Sequence, residues 1–205
     1  MDEKSRCAIL QLKKIGKLGN KMRLAAECWD SEWQTLIAII LSARTRDEVT
    51  IEVCKRLFIK YRSLKELAES DFNELSLLIK QVNFYKNKSR NILGCSRKLL
   101  SDFRGKVPHE LNHLMALPGV GRKTANVFLA EYGHDNVGVD THLAYCSRML
   151  GWTNNKEPHK IEQDLLNLFP KKYWRRLNPL LVRFGKTYTS RKKKDDLLKN
   201  IRKFA

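Results

Sequence analysis

A Pro-Gly-Val-Gly turn between two amphipathic segments constrains the fold of this chain more than any other feature. Leu114 and Leu117 end the first segment, and Pro118 stops it. Gly119 and Gly121 permit turn dihedrals that other residues rarely adopt, and they leave no side chain between the backbone and a ligand. The pattern therefore predicts a helix, a tight hairpin and a second helix.

The rest of the chain also repeats its apolar residues at helical spacing. Neither the alternation of a β-strand nor an internal repeat is convincing, so the predicted fold class is all-α. Helices are expected from Ser31 or Asp30 to about Ala43, from Asp47, from Asp71, over 89–103, 108–116 and 121–132, from Asp140 to about Leu150, and over 161–169, 173–188 and 195–204. Inner positions expected in the core are Leu36, Ile39, Ile40, Leu57, Leu114 and Val127.

The charge of the chain favours a polyanionic partner. Lys and Arg number 40 against 22 Asp and Glu, which gives a formal net charge of +18. Such an excess raises affinity and association rate for phosphate backbones, because binding releases counterions. A membrane surface ranks lower, since no basic amphipathic helix stands apart from the fold. No signal peptide is recognised, and the apolar run 36–41 is too short for a bilayer, so a soluble intracellular protein is expected.

The cysteines give no metal signature. The five are far apart and include no C-x-x-C pair, at Cys7, Cys28, Cys54, Cys95 and Cys146. Scattered cysteines in odd number are typical of a reducing compartment. We expect all five to be small buried apolar residues.

The hairpin has the features of a phosphate-binding site. The start of the second helix presents backbone N–H groups and a positive dipole end, and Arg122 follows directly. A K⁺ or Na⁺ ion held by the carbonyls of Leu117 and Val120 is a common addition to such motifs. Together with the charge, this predicts a helix-hairpin-helix that binds the DNA backbone through 117–122 without reading sequence.

Two further residues are candidates for chemistry. Lys123, beside Arg122 at a helix start, is expected to have a lowered pKa, which would make its amine a nucleophile. Asp140 is expected to cap the next helix, and its carboxylate could also face a sugar that develops positive charge. His142 is interpreted as a packing or hydrogen-bonding residue.

The last segment is predicted to be a docked helix. The run Arg191-Lys192-Lys193-Lys194 precedes Asp195, which is interpreted as the N-cap. One helical face then carries Leu197, Leu198, Ile201 and Phe204.

Residues 117–126 (Leu-Pro-Gly-Val-Gly-Arg-Lys-Thr-Ala-Asn), followed by 139–142 (Val-Asp-Thr-His), resemble the endonuclease III family of DNA glycosylases, in the helix-hairpin-helix superfamily with a Gly/Pro-rich loop and a catalytic Asp. The resemblance extends over about 25–188. Residues 41–45 (Leu-Ser-Ala-Arg-Thr) resemble the family's L-S-A-Q-T/A segment, and 84–89 (Phe-Tyr-Lys-Asn-Lys-Ser) resemble its G-L-Y-N-x-K-A loop. Residues 183–186 resemble the segment before its iron–sulfur cluster.

The resemblance implies a bifunctional DNA glycosylase and abasic-site lyase of base excision repair that acts on damaged pyrimidines in double-stranded DNA. The base is flipped out, Lys123 attacks the sugar C1′, Asp140 stabilises the cationic transition state, and β-elimination through a Schiff base cuts the strand. It also implies a monomer with two helical domains beside a DNA-binding cleft. A six-helix barrel of 25–135 would carry the hairpin, and 1–24 with 136–205 would form a discontinuous domain.

Three departures from the family pattern change these expectations. No cysteine follows Cys146, and Thr189 or Ser190 stands where the first cluster ligand would be, so we predict no iron–sulfur cluster and no other cofactor. Our hypothesis is that the terminal helix takes over the packing role of the cluster.

The other two departures concern DNA contacts. The family's gap-filling Gln is Arg44 here, which could stack on the estranged base or only touch phosphate. The wedge Leu is Phe84, preceded by Asn83 in place of Gly. Together with Tyr85 and Lys88 of the same loop, Arg44 and Phe84 are expected to contact DNA.

Two alternatives remain open at this point. One is a uracil or thymine-mismatch glycosylase on the same fold. Arg44 and Phe84 are compatible with it, because both depart from the family pattern. The other is a non-catalytic module that uses the hairpin only to bind DNA. The joint presence of Lys123 and Asp140 argues against it, since binding the backbone requires neither.

Overall fold

The computed structural model describes residues 2–203, and this range is helical, with no strand. The fold class predicted from the sequence is therefore confirmed. The α-helices are α1 (Glu3–Leu18), α2 (Glu32–Ser42), α3 (Asp47–Lys60), α4 (Leu64–Glu69), α5 (Phe72–Leu78), α6 (Tyr85–Phe103), α7 (Leu111–Met115), α8 (Arg122–Glu131), α9 (Thr141–Met149), α10 (Pro158–Leu168), α11 (Trp174–Thr187) and α12 (Arg191–Lys203), with a 3-10 helix at Lys171–Tyr173.

The chain forms two compact units. The central unit is Arg23–Glu131 and holds α2 to α8. The terminal unit combines the described residues up to Met22 with those from Tyr132 onward, and it holds α1 and α9 to α12. Lys123 belongs to the central unit and Asp140 to the terminal unit.

The core of the central unit is built around α2, whose residues from Thr35 to Leu41 are all buried. The helix packs against α3, α6 and α8, so apolar side chains are needed on every face. Five of the six predicted core positions are buried, namely Leu36, Ile39, Ile40, Leu57 and Leu114. The prediction for Val127 is wrong, because the inner face of α8 carries Phe128 and leaves residue 127 half-buried.

The terminal unit has its own core, to which α1 contributes a face that the sequence reading missed. Asp2 caps this helix by accepting the N–H of Ser5 at 2.7 Å. Ala8, Leu12 and Ile15 are buried against apolar residues of α9, α10 and α11. The helical spacing of these three residues could have predicted α1.

Helix α12 is docked on the terminal core, as predicted. Leu198 and Ile201 are buried, and the helix packs against α9 and α1. The interpretation of Asp195 as the N-cap is wrong, because the helix begins one turn earlier at Arg191. Phe204 lies outside the described residues.

Side chains cap the starts of four helices, which are α1, α4, α5 and α9. The side chain of Asp71 accepts the N–H groups of Asn73 and Glu74, so α5 begins where expected. Ser31 is the N-cap residue of α2 but makes no side-chain cap bond. Besides the start of α12, three starts differ from the predictions by three residues or more: α6 and α10 begin earlier, at Tyr85 and Pro158, and α7 begins later, at Leu111.

Burial of the cysteines agrees only in part with the expectation. Cys54, Cys95 and Cys146 are buried, whereas Cys7 is half-buried and Cys28 is exposed. None of the helices described between residues 2 and 203 combines the length and apolarity needed to cross a membrane.

Candidate active site and nucleic-acid interface

The predicted hairpin joins α7 to α8 in the central unit. The N–H of Leu117 donates to the carbonyl of Leu114 at 3.0 Å, and the N–H of Val120 donates to the carbonyl of Leu117 at 3.1 Å. Gly119 between them has a φ of +80°, in the left-handed region that disfavours side chains. The chain thereby reverses within four residues, and α8 starts at Arg122.

The hairpin is seated on α6. A Cβ atom at Gly119 would lie 2.8 Å from the Cβ of Asn91, whereas one at Gly121 would meet nothing within 4 Å. Pro118 packs beside Gly94, one turn along the same helix. The two glycines thus have different roles: Gly119 allows close packing on α6, and Gly121 leaves the outer surface bare.

The apolar residues of the motif point inward. Leu114, Leu117 and Val120 are 0%, 2% and 5% exposed. The DNA contacts predicted for Leu117 and Val120 must therefore come from their backbone groups, with Gly121 and Arg122 exposed beside them. A carbonyl oxygen has two lone pairs, so the hydrogen bond to Leu117 leaves one for the predicted K⁺ or Na⁺. That ion remains a prediction.

Lys123 is the second residue of α8 and is half-buried. Its place in the first turn follows directly from the hairpin, because Gly121 and Arg122 separate it from the turn. The first turn of a helix carries the positive end of its dipole. Lys123 therefore lies at the positive end of α8, next to the exposed residues Gly121 and Arg122.

Asp140 lies at the start of α9 in the terminal unit. Its backbone is extended, and its Oδ1 accepts the N–H of Leu143 at 2.8 Å. The prediction that Asp140 is an N-cap is confirmed. One carboxylate oxygen is thus used by the helix, and a carboxylate has further acceptor sites for other contacts.

The surroundings of Asp140 are packed tightly. His142 lies so close to Gly185 of α11 that a Cβ atom at 185 would overlap its imidazole ring. The segment before Asp140 is anchored as well, since Asn178 Nδ2 of α11 donates to the carbonyl of Gly138 at 2.6 Å. The packing role interpreted for His142 is thereby confirmed, and Asp140 is positioned from both sides.

A second cluster in the central unit brings together Arg44 and Phe84, which are far apart in sequence. The Arg44 guanidinium carbon lies 5.0 Å from the centroid of the Phe84 ring. Phe84 is 56% exposed, and Arg44 is exposed too. Both have left-handed backbones, with φ of 55° and 59°. Such conformations cost roughly 1–2 kcal/mol in non-glycine residues, so the surrounding structure must impose them.

Lys88 has a role different from the one predicted. Its side chain is 5% exposed, and its Nζ donates to the carbonyls of Leu41 at 2.6 Å and Ala43 at 2.7 Å and to Thr45 Oγ1 at 3.0 Å. An ammonium group has three donors, and all are used inside the protein. The structure therefore corrects the prediction of a direct DNA contact for Lys88. Tyr85, its neighbour in the loop, is half-buried.

The thiols of the chain do not fit a four-cysteine iron–sulfur cluster. The terminal unit holds two cysteines, Cys7 and Cys146, and no cysteine follows Cys146. Burial raises the pKa of Cys146 to about 12, which opposes the thiolate form that such ligation needs. Among residues 2–203, no three His, Cys, Asp or Glu side chains are grouped to hold a metal ion.

Comparison with known proteins agrees with this architecture. Residues 37–171 match the family model of the HhH-GPD superfamily base excision DNA repair proteins. Endonuclease III of Thermotoga maritima is 40% identical over 155 residues, which are 75% of this chain and 73% of the relative. Endonuclease III of Bacillus subtilis is 34% identical over 187 residues, 87% of this chain and 85% of the relative.

Solved structures give the same result. A structure of a non-covalent endonuclease III–DNA complex superposes with a TM-score of 0.84 at 31% identity, covering 93% of this chain and 89% of that one. A thermostable thymine-DNA glycosylase superposes with a TM-score of 0.81 at 19% identity, covering 93% and 90%, which shows a shared fold.

The chain belongs to the HhH-GPD superfamily of base excision DNA repair proteins. Its identity to endonuclease III proteins over most of their length confirms the resemblance inferred from the hairpin and the Asp140 segment. The enzyme class is that of a DNA glycosylase/AP lyase of base excision repair.

Four residues shape these surfaces through contacts that the sequence did not predict, namely Asn83, Lys88, Asn91 and Gly185. Asn91 and Gly185 matter through contacts between helices distant in the chain, which no local pattern reveals. Lys88 carried a partial signal, because it lies with Ser89 and Ile92 on the buried side of an amphipathic helix.

Proposed function

We propose that this enzyme removes oxidised or otherwise damaged pyrimidines from double-stranded DNA and cuts the strand at the abasic site, with Lys123 as the nucleophile. The observation that carries the proposal is the position of Lys123, in the first turn of the helix that the glycine hairpin introduces. A trapped covalent endonuclease III–DNA intermediate is among the matching structures, with a TM-score of 0.83 at 31% identity.

The chemistry assigned to Lys123 is covalent catalysis. Its neutral amine attacks C1′ of the damaged nucleotide, the C1′–base bond breaks, and the base leaves with the bonding electrons and takes up a proton. Opening of the sugar ring gives a protonated Schiff base between Nζ and C1′. Loss of a proton from C2′ then expels the 3′ phosphate by β-elimination, and water releases the enzyme.

Asp140 supplies the opposite charge. The sugar becomes cationic as the base departs, and a fixed carboxylate stabilises that charge more in the transition state than in the substrate. Its hydrogen bond to the N–H of Leu143 holds the carboxylate in place before the substrate binds. A preorganised group of this kind loses little free energy to reorientation during the reaction.

DNA binding follows from the hairpin and from the net charge of +18. Exposed Gly121 and Arg122 allow a phosphate to approach the start of α8. Arg44 and Phe84 are proposed to enter the duplex at the gap left by the flipped nucleotide. The enzyme is proposed to act as a monomer inside the cell and without an iron–sulfur cluster, since the terminal unit offers two thiols where four are needed.

Borohydride trapping tests the assignment of Lys123. The wild-type protein is incubated with duplexes that carry thymine glycol, uracil, a mismatched thymine or an abasic site. Base release is measured, and covalent adducts are counted on a denaturing gel. Adducts are expected with thymine glycol and the abasic site, and Lys123→Ala should form none. Lys123→Arg is the matched control, because it keeps the positive charge for DNA binding and lacks the nucleophilic amine.

The outcomes separate the candidate functions. Trapping by Lys123→Ala at the wild-type level would overturn the assignment of Lys123. Excision of uracil or mismatched thymine in preference to thymine glycol would favour the alternative glycosylase. DNA binding without any excision or trapping would leave only a binding module.

A further inference from the structure

We propose that Lys88 is a positioning residue, whose ammonium group ties the end of α2 to the loop before α6 and so presents Arg44 and Phe84 to DNA as one rigid unit. The inference rests on the proposed function, because it assumes that these two side chains enter the duplex. In this role Lys88 acts inside the protein and does not itself contact a phosphate.

The C-terminal end of α2 is bound by a side chain of another helix. The last carbonyls of a helix have no partners within it. Lys88 Nζ binds two of the carbonyls at this end, those of Leu41 at 2.6 Å and Ala43 at 2.7 Å. A cation at the negative end of a helix dipole is well placed electrostatically. Lys88 of α6 therefore fixes the path of the chain as it leaves α2 toward Arg44.

Hydrogen bonds connect the turn after α2 to the loop that carries Phe84. Thr45 Oγ1 accepts from Lys88 Nζ at 3.0 Å and from the N–H of Asn83 at 3.1 Å. The side-chain amide of Asn83 donates in turn to the carbonyl of Arg44. The residues beside Arg44 and Phe84 are thus joined by one hydrogen-bond network with Lys88 at its base.

The network surrounds two residues with unusual backbone conformations. Arg44 and Phe84 each occupy the left-handed region, which non-glycine residues adopt only where their surroundings impose it. Their side chains are in cation–π contact at 5.0 Å. Loss of the network would let the backbone of either residue relax. The two side chains would then no longer be held in a fixed position relative to each other.

The test separates positioning from a phosphate contact. Lys88→Met keeps an unbranched buried chain and removes the ammonium group. Lys86→Met is the matched control, since it removes the same charge from an exposed position on the same helix. The probe is a duplex with a tetrahydrofuran abasic analogue and 2-aminopurine beside it, whose fluorescence rises when the stack is opened.

Lys88→Met should lose most of the fluorescence rise at saturating protein, and its turnover number should fall on the order of 10–100-fold, as small misplacements do. The slope of log affinity against log salt should be the same in Lys88→Met as in the wild type. Loss of a phosphate contact would instead make this negative slope less steep by about 0.9. Lys86→Met should keep the fluorescence rise. A lower slope with a full rise in Lys88→Met would make Lys88 a phosphate contact and overturn the proposal.

Thr45→Val is the second variant, for use if Lys88→Met does not fold. It removes the acceptor shared by Lys88 and Asn83 and keeps the ammonium group and its carbonyl partners. It should weaken the fluorescence rise, and an undiminished rise would contradict the network. Because the abasic analogue cannot be cleaved, the fluorescence and salt-dependence results are independent of Lys123 and of the proposed chemistry.

A pH profile gives a readout that packing alone would not move. Burial lowers the pKa of Lys88 to about 8. Cys54 of α3 faces it, but burial raises the pKa of that thiol far above its usual range and keeps it neutral. The wild-type fluorescence rise should therefore decrease above about pH 8, and Lys88→Met should lack this step. An identical step in the variant would contradict the assignment.

Discussion

The two helices that carry the proposed catalytic residues start in different ways. Helix α8 starts after a glycine hairpin that is pressed against α6, and Lys123 is the second residue beyond it. Helix α9 starts at Asp140 itself, whose carboxylate caps the helix. In the first case the backbone positions the functional side chain, and in the second case the functional side chain also stabilises the helix.

This difference determines how far structure and chemistry can be separated by mutation. The hairpin can be altered at glycines that take no part in the reaction. At Asp140 the cap and the proposed electrostatic role share one carboxylate, so only a substitution that preserves the cap can isolate the chemistry.

The largest effect is expected at Asp140. Asp140→Asn keeps an oxygen that can cap α9 and removes the negative charge, whereas Asp140→Ala removes both. Single-turnover excision should fall on the order of 10²–10³-fold in both variants, since a preorganised electrostatic partner of the transition state is lost. Unfolding by denaturant should show a loss of about 1 kcal/mol in Asp140→Ala alone. Wild-type excision by Asp140→Asn would restrict Asp140 to its structural role.

Smaller effects are expected at the hairpin glycines. Substitution of Gly119 should lower stability, and substitution of Gly121 should lower DNA affinity. Gly119→Ala places a side chain at a φ of +80° and 2.8 Å from Asn91, so the free energy of unfolding should fall. The expected loss is about 1–2 kcal/mol from the backbone conformation, plus the cost of moving Asn91. Denaturant unfolding measures it.

Gly121→Ala is the matched variant for this position. Its Cβ atom meets nothing within 4 Å, so stability should stay within about 0.5 kcal/mol of the wild type. Affinity for an abasic-analogue duplex should nevertheless decrease, because the methyl group would stand where a phosphate is proposed to approach. Unchanged affinity in this variant would remove Gly121 from the proposed DNA contacts.

The smallest effects are expected from two exposed cations, one on α8 and one on α12. Arg122 begins α8, and Lys192 lies on α12, which packs against α9. Alanine at either position should lower the slope of log affinity against log salt by about 0.9 if the residue contacts a phosphate. Lys55→Ala is the control, because this lysine is paired with Glu52 at 2.8 Å. A slope unchanged in all three would exclude both contacts.

Local patterns were sufficient to predict most of the helices and the hairpin. The apolar run of α2 and the Asp residues before α5 and α9 identified helices and starts that the structure contains. The hairpin was predictable because its leucines, proline and glycines each have a local conformational reason. The resemblance then supplied roles for Lys123 and Asp140 that no periodicity could give.

Features that depend on contacts between distant segments could not be predicted in this way. The pairing of Arg44 with Phe84 and the burial of Lys88 result from the packing of α6 against α2. A lysine in a basic helix is ordinarily exposed, so its sequence context favoured a DNA contact. Asp195 has the residue type of an N-cap, but Leu198 and Ile201 are buried on a helix that starts earlier.

The close approach of His142 to Gly185 links the evolution of the two positions. A ring at 142 leaves room for only a hydrogen atom at 185, so neither residue can change freely while the other is kept. Among related chains, a side chain at the position of Gly185 should therefore occur together with a smaller residue at that of His142. Paired changes of this kind in an alignment would show that the packing beside Asp140 depends on the contact between the two positions. This test requires sequences alone.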